Sequence, residues 1–471
     1  MSNKLILILA LAGVSAFLCS CQSGTGRSDD KHSLNSDSVT ISLLKEAYLY
    51  GYPLVVMHTS MRVMTNVEKP VSGARLLAPV NQIANATTFP DDKFRDVVRA
   101  NCDTYYTMGW LNLKDGPMVL NLPDTKGRYY LFPMLDAWTN VFASPGKRTT
   151  GTGAQQFVIA APGWHDEVPA GMTLIQAPTD LVWVIGRVQV NSARDGSTIV
   201  KSIQDGISLK PLAPGTSKAG TVDPTIPAKS PNDIVAEMSG TEYFKLLNSL
   251  MVNNPPPPAD SAILKRLKEA GISPGADFGA TKFSAVVTDS LQALPMWGKK
   301  ALSSAGLTGA TPVNGWNVNK NLGSYGTNYL FRAGVAFGGL GANLDADAIY
   351  PASLTDVDGD AYDGSKYKYI LHFDADKLPP AKAFWSLTMY DGDGFMCANP
   401  INRFAIGDRD NLEKNKDGSV DILIQHDKPK STRNWLPAPD GPFNLLMRIY
   451  WPDERMTSGQ WSPPGVAKVK N

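Results

Sequence analysis

The stretch Tyr129-Tyr-Leu-Phe-Pro-Met-Leu-Asp136 returns later in the chain as Phe384-Trp-Ser-Leu-Thr-Met-Tyr-Asp391. From each Asp a Pro follows at one offset (Pro145, Pro400), and an Arg three residues after that (Arg148, Arg403). Ala177-Pro178 leads to Arg187 at the spacing with which Ala438-Pro439 leads to Arg448. Upstream, Ala100-Asn101-Cys-Asp103 is echoed by Ala342-Asn343-Leu-Asp345. Elements recurring in one order at similar spacing indicate a duplicated domain. The duplication sets the architecture and names no reaction.

Around the first copy, short apolar runs are bounded by Gly, Pro, Asn and Asp: 105–113, 118–122, 129–135, 157–160, 173–176 and 181–190. The second copy repeats the pattern at 368–373, 384–390, 420–425 and 443–451. Such runs predict antiparallel strands of a sandwich or barrel. The expected fold is mainly β with helical segments, α+β overall. It has two tandem related antiparallel β-sandwiches, jelly-roll-like, over 76–210 and 326–471. Residues 39–75 form a helical start, with Leu43, Leu44, Ala47 and Tyr48 at helical spacing behind Ser38 and Thr40. Pro53 should break or kink that helix after Tyr52. Between the sandwiches, 211–325 reads as a loop and helical insert. Ser230-Pro231-Asn-Asp233 is a helix start, with Ile234, Met238, Phe244 and Leu247 on the apolar side. Further helices are expected near 259–270, stopped by Gly271, and 281–304, interrupted at Pro295. This block would pack between the sandwiches or cover a cleft.

Residues 1–20 read as a signal peptide: Lys4, then an apolar run from Leu5 to Leu18 too short to span a bilayer. The run ends in Leu18-Cys19-Ser20-Cys21, which resembles a bacterial lipobox. Cys21 is then the lipidation site, the membrane surface a partner, and 21–38 a lipidated flexible tether. Gln22 rather than Asp after Cys21 favours the outer membrane if the cell is Gram-negative. The chain of 471 residues carries 45 Lys and Arg against 44 Asp and Glu, and loss of Lys4 with the leader balances them. With no basic run, nucleic acid is not an expected partner. Cys102 and Cys397 remain as thiols, and sequence does not decide whether they pair.

At this point the motifs resemble a known family. Arg99-Ala-Asn-Cys-Asp-Thr-Tyr-Tyr106, Leu135-Asp-Ala-Trp-Thr-Asn-Val-Phe-Ala-Ser-Pro-Gly-Lys-Arg148 and Gly186-Arg187 are similar to the domain of unknown function numbered 1254. Phe384-Trp-Ser-Leu-Thr-Met-Tyr-Asp391, Asn399-Pro400, Gly407-Asp-Arg409 and Asn434-Trp-Leu-Pro-Ala-Pro439 resemble its companion, numbered 1214. The resemblance implies a two-part β-sandwich protein and no particular reaction.

The polar groups present in both copies, Asp136/Asp391 and Arg148/Arg403, suit a shared scaffold of satisfied turns and paired charges. The difference between copies points to a site. Thr104-Tyr105-Tyr106, Trp138 and Asn140 lie at strand ends where the second copy has other residues, and Lys147-Arg148-Thr149-Thr150 stands against Asn402-Arg403-Phe404-Ala405. Tyr106, Trp138, Asn140 and Arg148 are the candidate ligand-binding residues, for a polar small molecule or glycan. Asp103 and Asp136 are the candidate catalytic acid/base pair, as two carboxyls flank a glycosidic bond. Alternatively the aromatics fill a sandwich core. Asp356-Val-Asp358-Gly-Asp360 resembles the start of a calcium loop, but Tyr367 stands where the closing Glu is needed, so a solvated turn is expected. No histidine pair has ligand spacing, and no cofactor motif occurs, so neither metal nor cofactor is expected. The expected function is an exported, lipid-anchored envelope protein that binds or hydrolyses a polar molecule in the first sandwich. The alternative is a non-catalytic envelope protein using the sandwiches as an assembly surface.

Overall fold

The computed structural model describes residues 29–469, apart from 96, 214, 216–218, 281–282 and 306–311. The signal peptide, Cys21 and the first residues of the tether lie outside the described residues. Among the described residues no helix is long and apolar enough to cross a membrane.

The first half holds β1 (Ile83–Asn85), β2 (Thr104–Asn112), β3 (Met118–Leu122), β4 (Tyr130–Leu131), β5 (Met134–Asp136), β6 (Val141–Ala143), β7 (Gln155–Ala160), β8 (Thr173–Gln176), β9 (Leu181–Gln189) and β10 (Ser208–Pro211). The second holds β11 (Trp316–Asn317), β12 (Ala348–Ile349), β13 (Ala352–Ser353), β14 (Tyr369–Phe373), β15 (Ala381–Asp391), β16 (Ala405–Gly407), β17 (Val420–Gln425), β18 (Trp435–Pro437), β19 (Phe443–Pro452) and β20 (Val466–Lys468).

Each half is two sheets face to face. In the first, β1-β2-β9-β5-β6, with β4 also on β9, faces β10-β3-β7-β8. In the second, β11-β13-β19-β15-β16, with β12 also on β19, faces β18-β17-β14-β20. β9 corresponds to β19, β3 to β14 and β7 to β17. Even the one parallel edge pair recurs, as β7·β8 and β17·β18. The duplicated sequence is therefore a duplicated sandwich.

Burial follows from what covers each face. β3 and β17 alternate buried and part-exposed residues, because one face meets the opposing sheet and the other meets water. β9 is buried along nearly its whole length, and so are the cores of β15 and β19. Strands with that pattern are covered on both faces. Behind β9 lies a helical layer: Trp110, Leu135, Trp138, Trp183 and Ile185 share one core with Tyr48, Leu54, Phe244 and Leu291. Behind β15 and β19 lies the first half itself, where Tyr129 and Leu131 meet Phe384 and Tyr450.

The helix Asp29–Met64 is the axis of the helical layer. It begins inside the stretch read as tether and runs through Pro53 without the predicted break. Tyr48, Tyr50, Tyr52, Leu54, Val55, Val56 and Met57 are all buried, so tertiary packing on every side outweighs the lost hydrogen bond at proline. Ser230 caps Pro231–Ala236 as its sequence predicts. The expected continuation instead restarts, because Ser239 and Glu242 form a capping box that opens Gly240–Asn253. The 281–304 region divides into Ala285–Gln292 and Leu294–Ala305, with Pro295 in the opening turn of the second. Tyr329–Gly338 adds a helix in the segment assigned to the second sandwich. The insert thus covers the outer face of the first sandwich rather than filling the space between the two.

Candidate functional site

The structure separates the six candidate residues into two groups. Asp136, Trp138 and Asn140 belong to the turn after β5. The Asp136 Oδ1 accepts the backbone N–H groups of Trp138 and Asn140, both at 2.9 Å, and its Oδ2 accepts the Asn140 side-chain amide at 3.2 Å. Burial pushes the Asp136 carboxyl up to about 6, against the lowering pull of the hydrogen bonds from Asn140 and Trp138. Trp138 is fully buried and donates its indole N–H to the carbonyls of Asn254 and Pro255. Its ring lies 5.1 Å from that of Tyr50 and 5.3 Å from the Arg332 guanidinium, which pairs with buried Asp260. This group fastens the turn and docks the helical layer. Asp391 makes the matching turn, accepting from the N–H groups of Asp393 and Phe395. Arg403 does not meet Asp391; it holds the carbonyls of Thr432, Arg433 and Trp435.

Strand register corrects the pairing of the copies. Tyr106 on β2 stands opposite Arg187 on β9. Ile349 stands opposite Ile449, so the next position brings Tyr350 to Arg448. Tyr350 is therefore the counterpart of Tyr106, and Asp347, not Asp345, the counterpart of Asp103. Likewise a Cβ on Gly146 would meet the Tyr130 carbonyl and one on Gly407 the Trp385 carbonyl, which are equivalent places in the opening repeat. Gly407-Asp-Arg409 thus matches Gly146-Lys-Arg148, and Arg409 replaces Arg403 as the partner of Arg148 in the comparison. The tyrosine that marked the first copy as distinct is present in the second.

These matched residues meet where the sandwiches join. Asp103, wholly buried, forms an ion pair with Arg409 and accepts the Ser386 hydroxyl at 2.6 Å. Arg409 also donates to the carbonyls of Asp103 and Val190 and lies 4.2 Å from the Phe384 ring centre. Across the junction, Arg148 Nε donates to buried Asp347 at 2.7 Å. Arg187 bonds the Asn343 amide oxygen and the Gly341 carbonyl, over the face of Tyr106. Arg448 reaches the carbonyls of Arg99 and Ala100, the Thr388 hydroxyl and the Tyr390 phenol. Each sandwich's arginine grips the Ala-Asn segment of the other, which is the reciprocity of a two-fold dimer contact held within one chain.

Three phenols stand among these groups. Asn101 Nδ2 donates to the hydroxyls of Tyr106 and Tyr450 at 3.1 and 2.7 Å, and Asn343 Nδ2 donates to that of Tyr350. Among the described residues, none accepts a hydrogen bond from these three hydroxyls. Tyr106, Tyr350, Asn101 and Cys102 keep part of their surface accessible. They lie where the two sandwiches meet. Burial, with Asp103 beside it, pushes the Cys102 thiol up to about 12, which removes it as a nucleophile near neutral pH. Cys102 and Cys397 are both free thiols.

The sequence singled out Asp103, Tyr106 and Arg148 from this junction. It missed Arg409, Asp347, Tyr350 and Tyr450. Two signals were available: the Asp-x-x-Tyr spacing of Asp103/Tyr106 and Asp347/Tyr350, and the Gly-x-Arg of Gly146/Arg148 and Gly407/Arg409. In the Asp356 turn, the Lys468 ammonium lies 2.8 Å from Asp356 and 2.5 Å from Asp360, occupying the place a cation would take. Among the described residues no cluster of three His, Cys, Asp or Glu is arranged to hold a metal ion.

The chain resembles the crystal structure of the VPA0106 protein from Vibrio parahaemolyticus, with TM-score 0.68 at 24% identity over 92% of this chain and 100% of that one. That likeness shows a common fold. A crystal structure of an uncharacterised protein from Burkholderia cenocepacia is more remote, with TM-score 0.42 at 10% identity over 94% of this chain and 95% of the other. No curated protein matches the chain. Residues 80–211 match a family described as a protein of unknown function, DUF1254, and residues 347–454 match a second protein of unknown function, DUF1214. With one domain in each sandwich and in that order, the chain belongs to the two-part family that joins DUF1254 to DUF1214.

Proposed function

We propose that this is an exported envelope protein, tethered to a membrane surface through a lipid on Cys21, that binds a polar small molecule where its two sandwiches meet. The observation that carries the reading is the contrast between the two groups of candidate residues. Asp136 and Trp138 are closed into a turn, whereas Tyr106 and Arg148 keep accessible surface at the junction that also holds the buried Tyr450 hydroxyl, which accepts from Asn101, and the unpartnered Nε of Arg409. Binding rather than hydrolysis is the activity. A general acid or base must reach substrate and water. Asp103 is committed to Arg409 and Ser386, and Asp136 to its own turn.

A thermal-shift screen of the purified protein against sugars, nucleosides, carboxylates and phosphates tests the reading. A ligand that raises Tm in the wild type and not in Tyr106→Phe supports it. Turnover that disappears in a folded Asp136→Asn variant would restore the hydrolytic alternative. The tether is tested separately: Cys21→Ser should move the protein from the membrane to the soluble fraction, and unchanged fractionation refutes lipid anchoring.

A further inference from the structure

We infer that the junction binds a small oxyanion, a carboxylate or phosphate group, beside Arg187 and Arg448, where Tyr106 and Tyr350 keep accessible surface. The inference rests on the proposal that the ligand binds at this junction, and adds its chemical class. It starts from charge. Arg148, Arg187, Arg409 and Arg448 meet at the junction with two paired carboxylates, Asp103 and Asp347. Asp408, next to Arg409 in the chain, has its carboxyl pushed up to about 6 by burial and adds at most one more negative charge. The positive charge without an ion-pair partner lies on Arg187 and Arg448, which are 6% and 3% exposed and bond only neutral groups. Buried charge without a counter-charge is costly, and a bound anion removes that cost.

Geometry points to the same class. Tyr106 stands opposite Arg187 and Tyr350 opposite Arg448 in the strand register, and Asn101 ties the Tyr450 hydroxyl to that of Tyr106. Burial pushes the Tyr350 and Tyr450 hydroxyls upward, so they remain protonated donors rather than serving as internal phenolates. Tyr106, Tyr350 and Tyr450 each accept from an asparagine amide, which leaves their O–H groups to donate elsewhere. Two guanidinium groups and three phenol donors suit an acceptor-only, negatively charged group. A cation would be repelled, and a neutral sugar would leave the arginines uncompensated.

The test is titration of the intact mature protein with sodium phosphate, sodium acetate and glucose, followed by Tm and calorimetry, with ionic strength held constant by sodium chloride. Phosphate or acetate should bind saturably and raise Tm, and the two arms decide which oxyanion is preferred. Arg187→Met should abolish the effect, but that variant risks misfolding. Tyr106→Phe and Tyr350→Phe keep every charge and remove one hydroxyl each, with its O–H donor and the acceptor it offers Asn101 or Asn343. Each should weaken the anion about tenfold, the size of one lost hydrogen bond to a charged group. Glucose binding that Tyr106→Phe removes, without anion binding, overturns the oxyanion and leaves the junction reading standing. Anion binding unchanged in both Phe variants places the ion elsewhere and overturns the inference. No binding by any of the three probes, together with an empty screen, overturns both.

Discussion

Asp103→Asn is the sharpest perturbation of the junction. Asparagine keeps the size and planarity of the carboxylate but replaces one oxygen by an amide donor. The Arg409 guanidinium, 16% exposed at its side chain, then loses its counter-charge in a site from which water is largely excluded. Stranding one partner of a buried pair costs about 3–5 kcal/mol. Arg409 keeps the carbonyls of Asp103 and Val190, which argues for the lower end, about 3 kcal/mol. The counterpart, Asp347→Asn, strands Arg148, whose side chain is 23% exposed. Water screens it better, and about 2 kcal/mol is expected, between the values for exposed and buried pairs. Urea unfolding followed by tryptophan fluorescence measures both, because Trp138 and Trp183 report the first half, and Trp385 and Trp435 the second. The wild type should unfold in one transition, the halves being joined by both pairs and by the two arginine grips. Weakening the junction should lower the midpoint and separate the two halves' transitions. A loss below about 1 kcal/mol for Asp103→Asn, with a single transition retained, would refute the view that these pairs hold the sandwiches together.

Asp136 gives a pH signature. Its folded carboxyl titrates at about 6 against an ordinary 3.8, so between those values the folded protein holds a proton that the unfolded chain releases. Its contribution is present below about 3.8 and is lost as pH rises through 6, to a limit of about 3 kcal/mol. Urea midpoints from pH 4 to 7 should therefore fall less steeply in Asp136→Asn than in the wild type, and equal slopes would contradict the assignment. Gly298→Ala tests the helical layer: a Cβ there would sit 1.9 Å from the Tyr48 ring, which is fully buried and stacked 4.4 Å from Tyr243. Overpacking costs about 1–3 kcal/mol and outweighs the better helix propensity of alanine, so Tm should drop. A higher Tm would show that the helix packs less closely on Tyr48.

Much of the fold was legible because it is written in local periods. β3 and β17 alternate over one wet and one dry face, and the opening repeat places β15 on the same footing as β4 and β5. Tertiary terms decided what local patterns could not. Pro53 is tolerated because its helix is packed on all sides, and Ser239 restarts a helix that apolar spacing alone would have continued. The site was half legible. Asn101 precedes Tyr106 by five residues, and Asn343 precedes Tyr350 by seven. Aligning the copies on Ala-Asn-x-Asp therefore slips the second copy by two places and hides Asp347 and Tyr350. Arg409 meets Asp103 across a separation of 306 residues, which no local pattern encodes.

Two-fold pseudo-symmetry also explains why charge accumulates at this junction. In a reciprocal contact, any group near the axis faces its own counterpart. Asp103–Arg409 and Asp347–Arg148 place opposite charges across the contact, so doubling yields two ion pairs. Arg187 and Arg448 are counterparts of each other, so doubling yields two cations and no anion. Divergence between the copies has relieved one more than the other. Thr388 and Tyr390 both serve Arg448, whereas the equivalent positions beside Arg187 are Pro133 and Leu135, which offer its guanidinium no side-chain acceptor. Arg187 is left with one amide oxygen, one carbonyl and the face of Tyr106. The unmet demand for negative charge is therefore greatest on the DUF1254 side, beside Tyr106. The residues repeated in both halves build the junction, and the unequal way their neighbours satisfy them gives the junction its direction.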